Sequence, residues 1–104
     1  IIRNGIGIKA PLDSPVRAVE GGTVVLRQRL STYGLTLIVD HGNGYFSLYA
    51  QLGTATVPMD AKISRGQIIG SVGGEGSDEG PHLYFEIRGQ NQIALDPLTW
   101  LRGR

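Results

Sequence analysis

The chain has 104 residues, with 10 Lys and Arg, 9 Asp and Glu, 16 Gly, 5 Pro and no Cys. This length fits one domain, and a net charge of +1 lacks the basic excess with which nucleic-acid binders contact phosphates. Without cysteine there is no disulfide, thiolate zinc site or cysteine nucleophile. No apolar run approaches the roughly 20 residues that cross a bilayer, so we expect no membrane insertion by this chain.

Short apolar runs, interrupted by Gly, Pro or Asn-Gly, predict strands rather than helices. The predicted strands, in chain order, cover residues 6–10, 15–19, 23–29, 35–40, 45–50, 68–72 and 82–88. Asn43-Gly44 predicts a type I′ hairpin turn, because that turn needs positive φ at both central residues. Residues 73–80 form a polar, glycine-rich loop, and a closing segment around Leu95, Leu98, Trp100 and Leu101 is expected to cover one end of the core. The chain therefore predicts an antiparallel all-β domain.

The two histidines do not by themselves indicate a metal site, because a catalytic zinc needs about three protein ligands. We expect His41 to cap the hairpin turn beside it. His82 starts a strand in which His82, Tyr84, Glu86 and Arg88 alternate with apolar residues. On that face Glu86 has two interpretations, a general acid or base and a partner of Arg88 across a solvated surface, and we expect the second. No serine stands in a G-x-S-x-G elbow, and the glycine-rich loop lacks the G-K-[ST] of a phosphate loop.

Seven segments, in order, resemble the LytM (M23-type) peptidase domain over nearly the whole chain. Residues 5–11 resemble the end of H-x-G-I-D-I-x-A-P, and residues 14–24 resemble T-P-V-x-A-x-x-x-G-x-V. Residues 33–34, 41–45 and 48–52 follow the order Y-G, H-G-N-G-Y and L-Y-A-H-L. Residues 65–70 match K-G-Q-x-I-G, and residues 80–86 match G-P-H-L-H-F-E. The resemblance implies an antiparallel β-sandwich or open barrel of the duplicated hybrid-motif type.

The departures from these motifs bear on activity. In active members of the family, the opening His and Asp and the second His of H-x-H hold zinc; here those positions are Arg3, Gly7 and Tyr84. The first His of H-x-H is kept as His82, whereas the catalytic His of Y-A-H-L is Gln51. Tyrosine, with a pKa near 10, is a poor zinc ligand at neutral pH. We therefore expect no bound cofactor and no enzymatic activity.

A degenerate LytM domain is similar to murein hydrolase activators of the EnvC type, and residues 83–88 and 96–101 resemble that branch. The resemblance implies a non-catalytic activator of periplasmic N-acetylmuramoyl-L-alanine amidases in septal cell-wall splitting, which binds the amidase through the former active-site groove. It also implies a fragment, here residues 1–104, of a longer protein with an upstream coiled coil that couples to FtsEX; the first residue, Ile1, fits a fragment. The expected partner-binding residues are Asn4, Gly7, Tyr33, Tyr49, Gln51, His82, Tyr84 and Arg88. For Tyr49, packing in the core is the alternative.

Two other functions remain open at this point. One is a peptidoglycan-binding module that acts without a protein partner. The other is a phosphocarrier or a biotinyl- or lipoyl-like domain, since residues 15–25 and 65–72 also resemble such sheets. That option is disfavoured because the Asn43-Gly44 tip carries no lysine and His82 has no facing histidine in the sequence pattern.

Overall fold

The computed structural model describes residues 5–89 and the backbone of residues 94 and 95. The described residues form nine strands: β1 (Ile6–Lys9), β2 (Pro15–Arg17), β3 (Gly22–Leu30), β4 (Gly34–Gly42), β5 (Tyr45–Ala55), β6 (Lys62–Ile63), β7 (Ile68–Val72), β8 (His82–Arg88) and β9 (Ala94–Leu95). Every strand pair is antiparallel. The predicted antiparallel all-β fold is confirmed. Within the described residues, no helix has the length and apolar character to span a bilayer.

The strands belong to one hydrogen-bonded sheet whose long path runs β1-β8-β5-β4-β3-β6. Strand β5 is shared between two parts of this sheet. Its first half, up to Ala50, pairs with β8, while Leu52 to Ala55 pairs with β7, which in turn pairs with β2. The predicted strand ended at Ala50, so the sequence prediction missed the half of β5 that joins the two parts.

The hairpin between β4 and β5 forms as predicted at the Asn43-Gly44 turn. Asn43 has φ of 54° and Gly44 has φ of 78°, the positive values that a type I′ turn requires. This turn sets β4 and β5 side by side, with Ile38 opposite Leu48 and Leu37 opposite Tyr49. The two central strands of the long path are therefore placed by a local signal.

Apolar side chains pack on both faces of the central strands. The main core lies on one face and includes Val24, Leu37, Tyr49, Phe85 and Ile87 together with residues of β2 and β7. A second, smaller cluster consists of Leu48, Ala50 and Tyr84, with the half-buried Tyr33 and Ile38 against it. Because side chains alternate across a strand, we assign this second cluster to the opposite face, which we call the groove face.

His41 does not cap its own hairpin turn, so that expectation is wrong. Its Nδ1 lies 2.8 Å from the carbonyl oxygen of Gly21, and its Nε2 lies 2.6 Å from Ser47 Oγ. Ser47 in turn donates to the hydroxyl of Tyr49, at 2.8 Å. The ring therefore ties β4 to the start of β3 and to β5, a role set by neighbours 20 and 6 residues away.

Candidate functional site

Strand β8 lies at the centre of the groove face. Phe85 and Ile87 point into the main core, so Tyr84, Glu86 and Arg88 point to the groove face. The neighbouring strand β5 presents small or apolar side chains at the paired positions: Ala50 opposite Tyr84, Leu48 opposite Glu86 and Phe46 opposite Arg88. The predicted alternation along β8 is therefore realised, and its polar residues lie on an otherwise apolar surface.

Tyr84 is held by contacts to its hydroxyl and to its ring. The hydroxyl donates to Glu86 Oε2 at 2.6 Å, and the ring packs against Tyr33 with centroids 5.4 Å apart and planes tilted by 39°. Burial raises the pKa of Tyr84 above the ordinary value of 10.0, and the hydrogen bond to Glu86 and its negative charge raise it further. The phenol is therefore neutral at physiological pH and acts as a fixed hydrogen-bond donor.

Glu86 is a buried carboxylate with a partner at each oxygen. Only 1% of the residue is exposed. While Oε2 accepts from Tyr84, Oε1 accepts from both Nε and Nη2 of Arg88, each at 3.0 Å. The predicted Glu86–Arg88 pair is present, but the face is not solvated at Glu86, because Tyr84 and Arg88 flank the carboxylate on the same strand. Arg88 keeps 27% of its side chain exposed, so in this ion pair Arg88 reaches solvent and Glu86 does not.

His82 and Gly7 lie at the other end of the groove face. His82 is 5% exposed; its Nδ1 lies 2.7 Å from the carbonyl oxygen of Gly80, and its Nε2 lies 3.4 Å from Glu79 Oε2. Gly7 pairs with Tyr84 in the β1–β8 ladder. A side chain at Gly7 would approach Glu79 Oε2 at 3.5 Å and His82 Cδ2 at 3.8 Å. The structure thus brings Gly7, His82 and Tyr84 together and places Glu79 beside them.

Gln51 lies at the point where β5 changes partners. Its φ of 57° is in the left-handed region, which is uncommon outside glycine. Its backbone N–H donates to Tyr33 O at 2.8 Å, its carbonyl oxygen accepts from Gly73 N, and its side-chain amide donates to Thr32 O at 3.3 Å. Gln51 therefore anchors the loop that carries Tyr33.

Tyr49 is a core residue, and its assignment to the partner-binding surface is corrected. None of its surface is exposed, its ring packs against Phe85 in the main core, and its hydroxyl accepts from Val19 N and Ser47 Oγ. Burial raises its pKa. Because Leu48 and Ala50 face the groove, Tyr49 between them points to the opposite side of the sheet, where no partner can contact it.

An apolar recess continues the groove face beyond Arg88, and no part of it was predicted apart from Arg88. It has a volume of about 190 Å³ and is lined by Val25, Leu26, Ile38, Phe46 and Arg88. These residues come from four different strands. Sequence spacing gives no signal for such a recess, because its walls meet only once β3, β4, β5 and β8 are paired.

The residues present do not fit the zinc ion that the LytM resemblance would imply. Gly7 offers no ligand atom, and Tyr84 is a neutral phenol whose hydroxyl is committed to Glu86. The Nδ1 of His82 lies 2.7 Å from the carbonyl oxygen of Gly80, so this imidazole offers at most its Nε2 as a ligand atom. Between residues 5 and 89, no three His, Cys, Asp or Glu side chains lie close enough to hold a metal. Arg3 and Asn4, like the closing segment around Trp100, lie outside the described side chains.

Comparisons with known proteins agree with this fold. Residues 2–97 match the model of peptidase family M23. Over 97 residues the chain is 41% identical to the murein hydrolase activator EnvC of Escherichia coli K12, covering 93% of this chain and 23% of that protein. It is 37% identical over 87 residues to the DD-carboxypeptidase/endopeptidase Mpg of Neisseria meningitidis MC58, covering 84% of this chain and 20% of that protein.

The fold is also that of a solved M23 structure. A point mutant of the catalytic domain of the prophage-encoded M23 protein EnpA from Enterococcus faecalis superposes with a TM-score of 0.85 at 27% identity. The match covers 96% of this chain and 79% of that one, whereas the chain spans less than a quarter of the two curated relatives. The chain belongs to peptidase family M23.

Proposed function

We propose that this chain is a non-catalytic domain, part of a longer protein, that activates a periplasmic cell-wall amidase during septal splitting. It binds the amidase through the groove face. The observation that carries the proposal is the state of Tyr84, which occupies a zinc-ligand position of the family and donates a hydrogen bond to the buried Glu86. A phenol held in this way is a poor metal ligand and a well-positioned recognition group.

The two relatives differ in function, and the replaced metal ligands support the activator over the enzyme. The relative with 41% identity is named a murein hydrolase activator, and one with 37% identity is named a carboxypeptidase/endopeptidase. Replacement of the metal ligands distinguishes between these two functions. Gly7 and Tyr84 remove two of the three ligands through which an M23 enzyme would polarise its substrate.

The physical properties of the groove face suit protein recognition. Tyrosine and arginine are enriched among the residues that dominate binding energy, and here Tyr33, Tyr84 and Arg88 lie on one face. Their conformations are fixed before binding, because Tyr84 and Arg88 share Glu86 and the ring of Tyr33 packs on Tyr84. A preformed surface loses less side-chain entropy when a partner binds. His82 and Gly7 extend the proposed surface toward β1, and Gln51 extends it toward the loop that carries Tyr33.

The wider setting follows from the same proposal. The amidase would act on peptidoglycan in the periplasm, and an upstream coiled coil would connect this domain to the FtsEX complex. These assignments rest on the likeness to EnvC-type activators. They concern the longer protein of which we propose this domain to be a part.

Dye release from labelled sacculi tests the proposal. A periplasmic N-acetylmuramoyl-L-alanine amidase from the same bacterium should release more dye when this chain is added. Tyr33→Ala should reduce that stimulation at least tenfold, equivalent to about 1.4 kcal/mol of lost binding. Tyr45→Ala is the matched control, because Tyr45 is exposed but lies at the β4–β5 turn. Equal stimulation by both variants would refute the groove as the binding surface.

A sacculus pulldown separates the activator from a peptidoglycan-binding module. The activator requires the amidase for its effect, whereas a carbohydrate-binding module sediments with purified sacculi without any protein partner. Sedimentation of the chain alone, combined with no stimulation of any amidase, would support the binding module and reject the activator.

A further inference from the structure

Within the part of the chain that the structure describes, strand β3 has an open edge over most of its length. On its inner side it pairs with β4 as far as Leu30. On its outer side β6 pairs only with Gly22 and Thr23, and the backbone of Val24 bonds to Ala61 O and Asp60 N. Beyond Val24, no strand of the described residues covers this outer side. Among the described residues, positions 25–30 therefore present an unpaired strand edge.

The register identifies the backbone groups that are open. The N–H and C=O of Val24 face outward, and a bulge at Val25 places Leu26 opposite Ile38. In an antiparallel pair the hydrogen-bonding direction alternates from residue to residue, and a bulge shifts that alternation by one. The outward-facing N–H and C=O groups after the bulge are consequently those of Arg27 and Arg29.

The two faces beside this edge have different chemistry. On the groove face lies the apolar recess, with Val25 and Leu26 of β3 forming its rim. On the other face lie the side chains of Arg27 and Arg29, because they pair with Leu37 and Leu35 of the main core side. Both arginines are exposed, and neither forms an ion pair with a carboxylate of the described residues.

We propose that the β3 edge binds an extended segment of a partner protein by strand addition, and that the side chains of this segment alternate between acidic and large apolar. Its backbone bonds to Arg27 and Arg29, its carboxylates meet the two guanidinium groups, and a large apolar side chain enters the recess. Strand addition takes affinity from main-chain bonds and specificity from alternate side chains. This interaction does not depend on the proposed amidase-binding role of Tyr33 and Tyr84, although Arg88 borders both surfaces.

Charge argues against a second copy of this chain as the occupant. If the edges of two β3 strands paired, arginines of one copy would lie beside arginines of the other. Like charges on neighbouring strands are destabilising, and charged residues on edge strands suppress such pairing. With an acidic segment in place of the second copy, the same contacts join opposite charges and become attractive.

Peptide binding to the full 104-residue chain tests the proposal. The probe is a fluorescently labelled peptide, Ser-Glu-Leu-Glu-Leu-Glu-Ser-Gly, and the control peptide has Lys in place of each Glu. We expect the Glu peptide to bind at least tenfold more tightly, since each Glu forms an opposite-charge cross-strand pair with an arginine where each Lys would form a like-charge pair. The doubly substituted protein Arg27→Glu, Arg29→Glu should reverse the preference and bind the Lys peptide.

Amide hydrogen exchange distinguishes strand addition from simple charge attraction. The amides of Arg27 and Arg29 should exchange fast in the free chain and slow at least tenfold when the Glu peptide is bound. Binding without protection of these two amides would overturn strand addition. Slow exchange of these amides in the free monomer would show that the chain covers its own edge. Dimerisation without peptide, with slow exchange of the same two amides, would assign the edge to a second copy. Either result would overturn the proposal.

Discussion

The hydroxyl of Tyr84 donates to Oε2 of Glu86 over 2.6 Å, while Arg88 bonds to the other oxygen of the same carboxylate. Glu86 is 1% exposed and would be costly to bury without these partners. The three residues alternate along β8, so one strand supplies both the buried charge and its compensation. This arrangement fixes the two side chains, Tyr84 and Arg88, to which we assign recognition.

Glu86→Gln should destabilise the fold while it leaves the size of the side chain nearly unchanged. The amide cannot accept from both Tyr84 and Arg88 with the strength of a carboxylate, and Arg88 loses its counter-charge. We expect a loss of about 1–3 kcal/mol in the free energy of unfolding, measured by urea denaturation. Glu75→Gln, in the exposed glycine-rich loop, is the control and should unfold as the unsubstituted chain does. Equal midpoints for both variants would contradict the structural role of Glu86.

Alkaline pH should unfold the chain through its buried tyrosines. The folded-state pKa values of Tyr84 and Tyr49 are raised above 10.0 because burial favours the neutral phenol. Their contribution to stability is therefore complete below about pH 10 and is lost as pH rises above it toward the folded-state pKa. Urea unfolding followed from about pH 8 to about pH 11 should show a flat region and then a steady fall.

A phenylalanine variant separates Tyr84 from the other titrating groups. Tyr84→Phe should be less stable at neutral pH, because Glu86 loses a donor, and should lose less stability between neutral and alkaline pH. Tyr45→Phe removes an exposed phenol and should leave the pH profile unchanged. If the Tyr84→Phe profile fell as steeply as that of the unsubstituted chain, Tyr84 would not be the buried titrating group described here.

Gly5 and Gly7 test how closely the start of the chain and β1 pack against the groove face. A Cβ at Gly5 would overlap the ring of Tyr84 and lie 2.6 Å from Glu86 Cγ, whereas a Cβ at Gly7 would make ordinary contacts with Glu79 and His82. Gly5→Ala should therefore cost about 1–3 kcal/mol in the free energy of unfolding, and Gly7→Ala should be tolerated. Gly76→Ala, which meets no atom within 4 Å, is the control. The prediction would be wrong if Gly5→Ala and Gly76→Ala had the same thermal midpoint.

The sequence predicts those parts of the fold that depend on local spacing. Asn43-Gly44 specifies its hairpin through backbone geometry alone, and the alternation from His82 to Arg88 identifies two faces because only one of them is apolar. The same rule fails along β5, where Leu48, Tyr49 and Ala50 are all apolar because both faces of the strand are covered. Period-two alternation therefore cannot tell that Tyr49 enters the core.

Other features depend on contacts between residues distant in sequence. His41 reaches Gly21 rather than its own turn because β3 and β4 pair in that register. The positive φ of Gln51 is maintained by bonds to Tyr33 and Gly73. The local sequence predicts neither the contact of His41 with Gly21 nor the positive φ of Gln51. The apolar recess likewise exists only after four strands are assembled.

An assay of sacculus hydrolysis with zinc and the amidase present tests most directly our proposal that this M23 domain acts by binding and not by hydrolysis. Dye release from labelled sacculi should be measured in zinc-supplemented buffer for the chain alone, the amidase alone and the two combined. We expect no release by the chain alone and more release by the pair than by the amidase alone. Release of dye by the chain alone, abolished by a chelator, would contradict it.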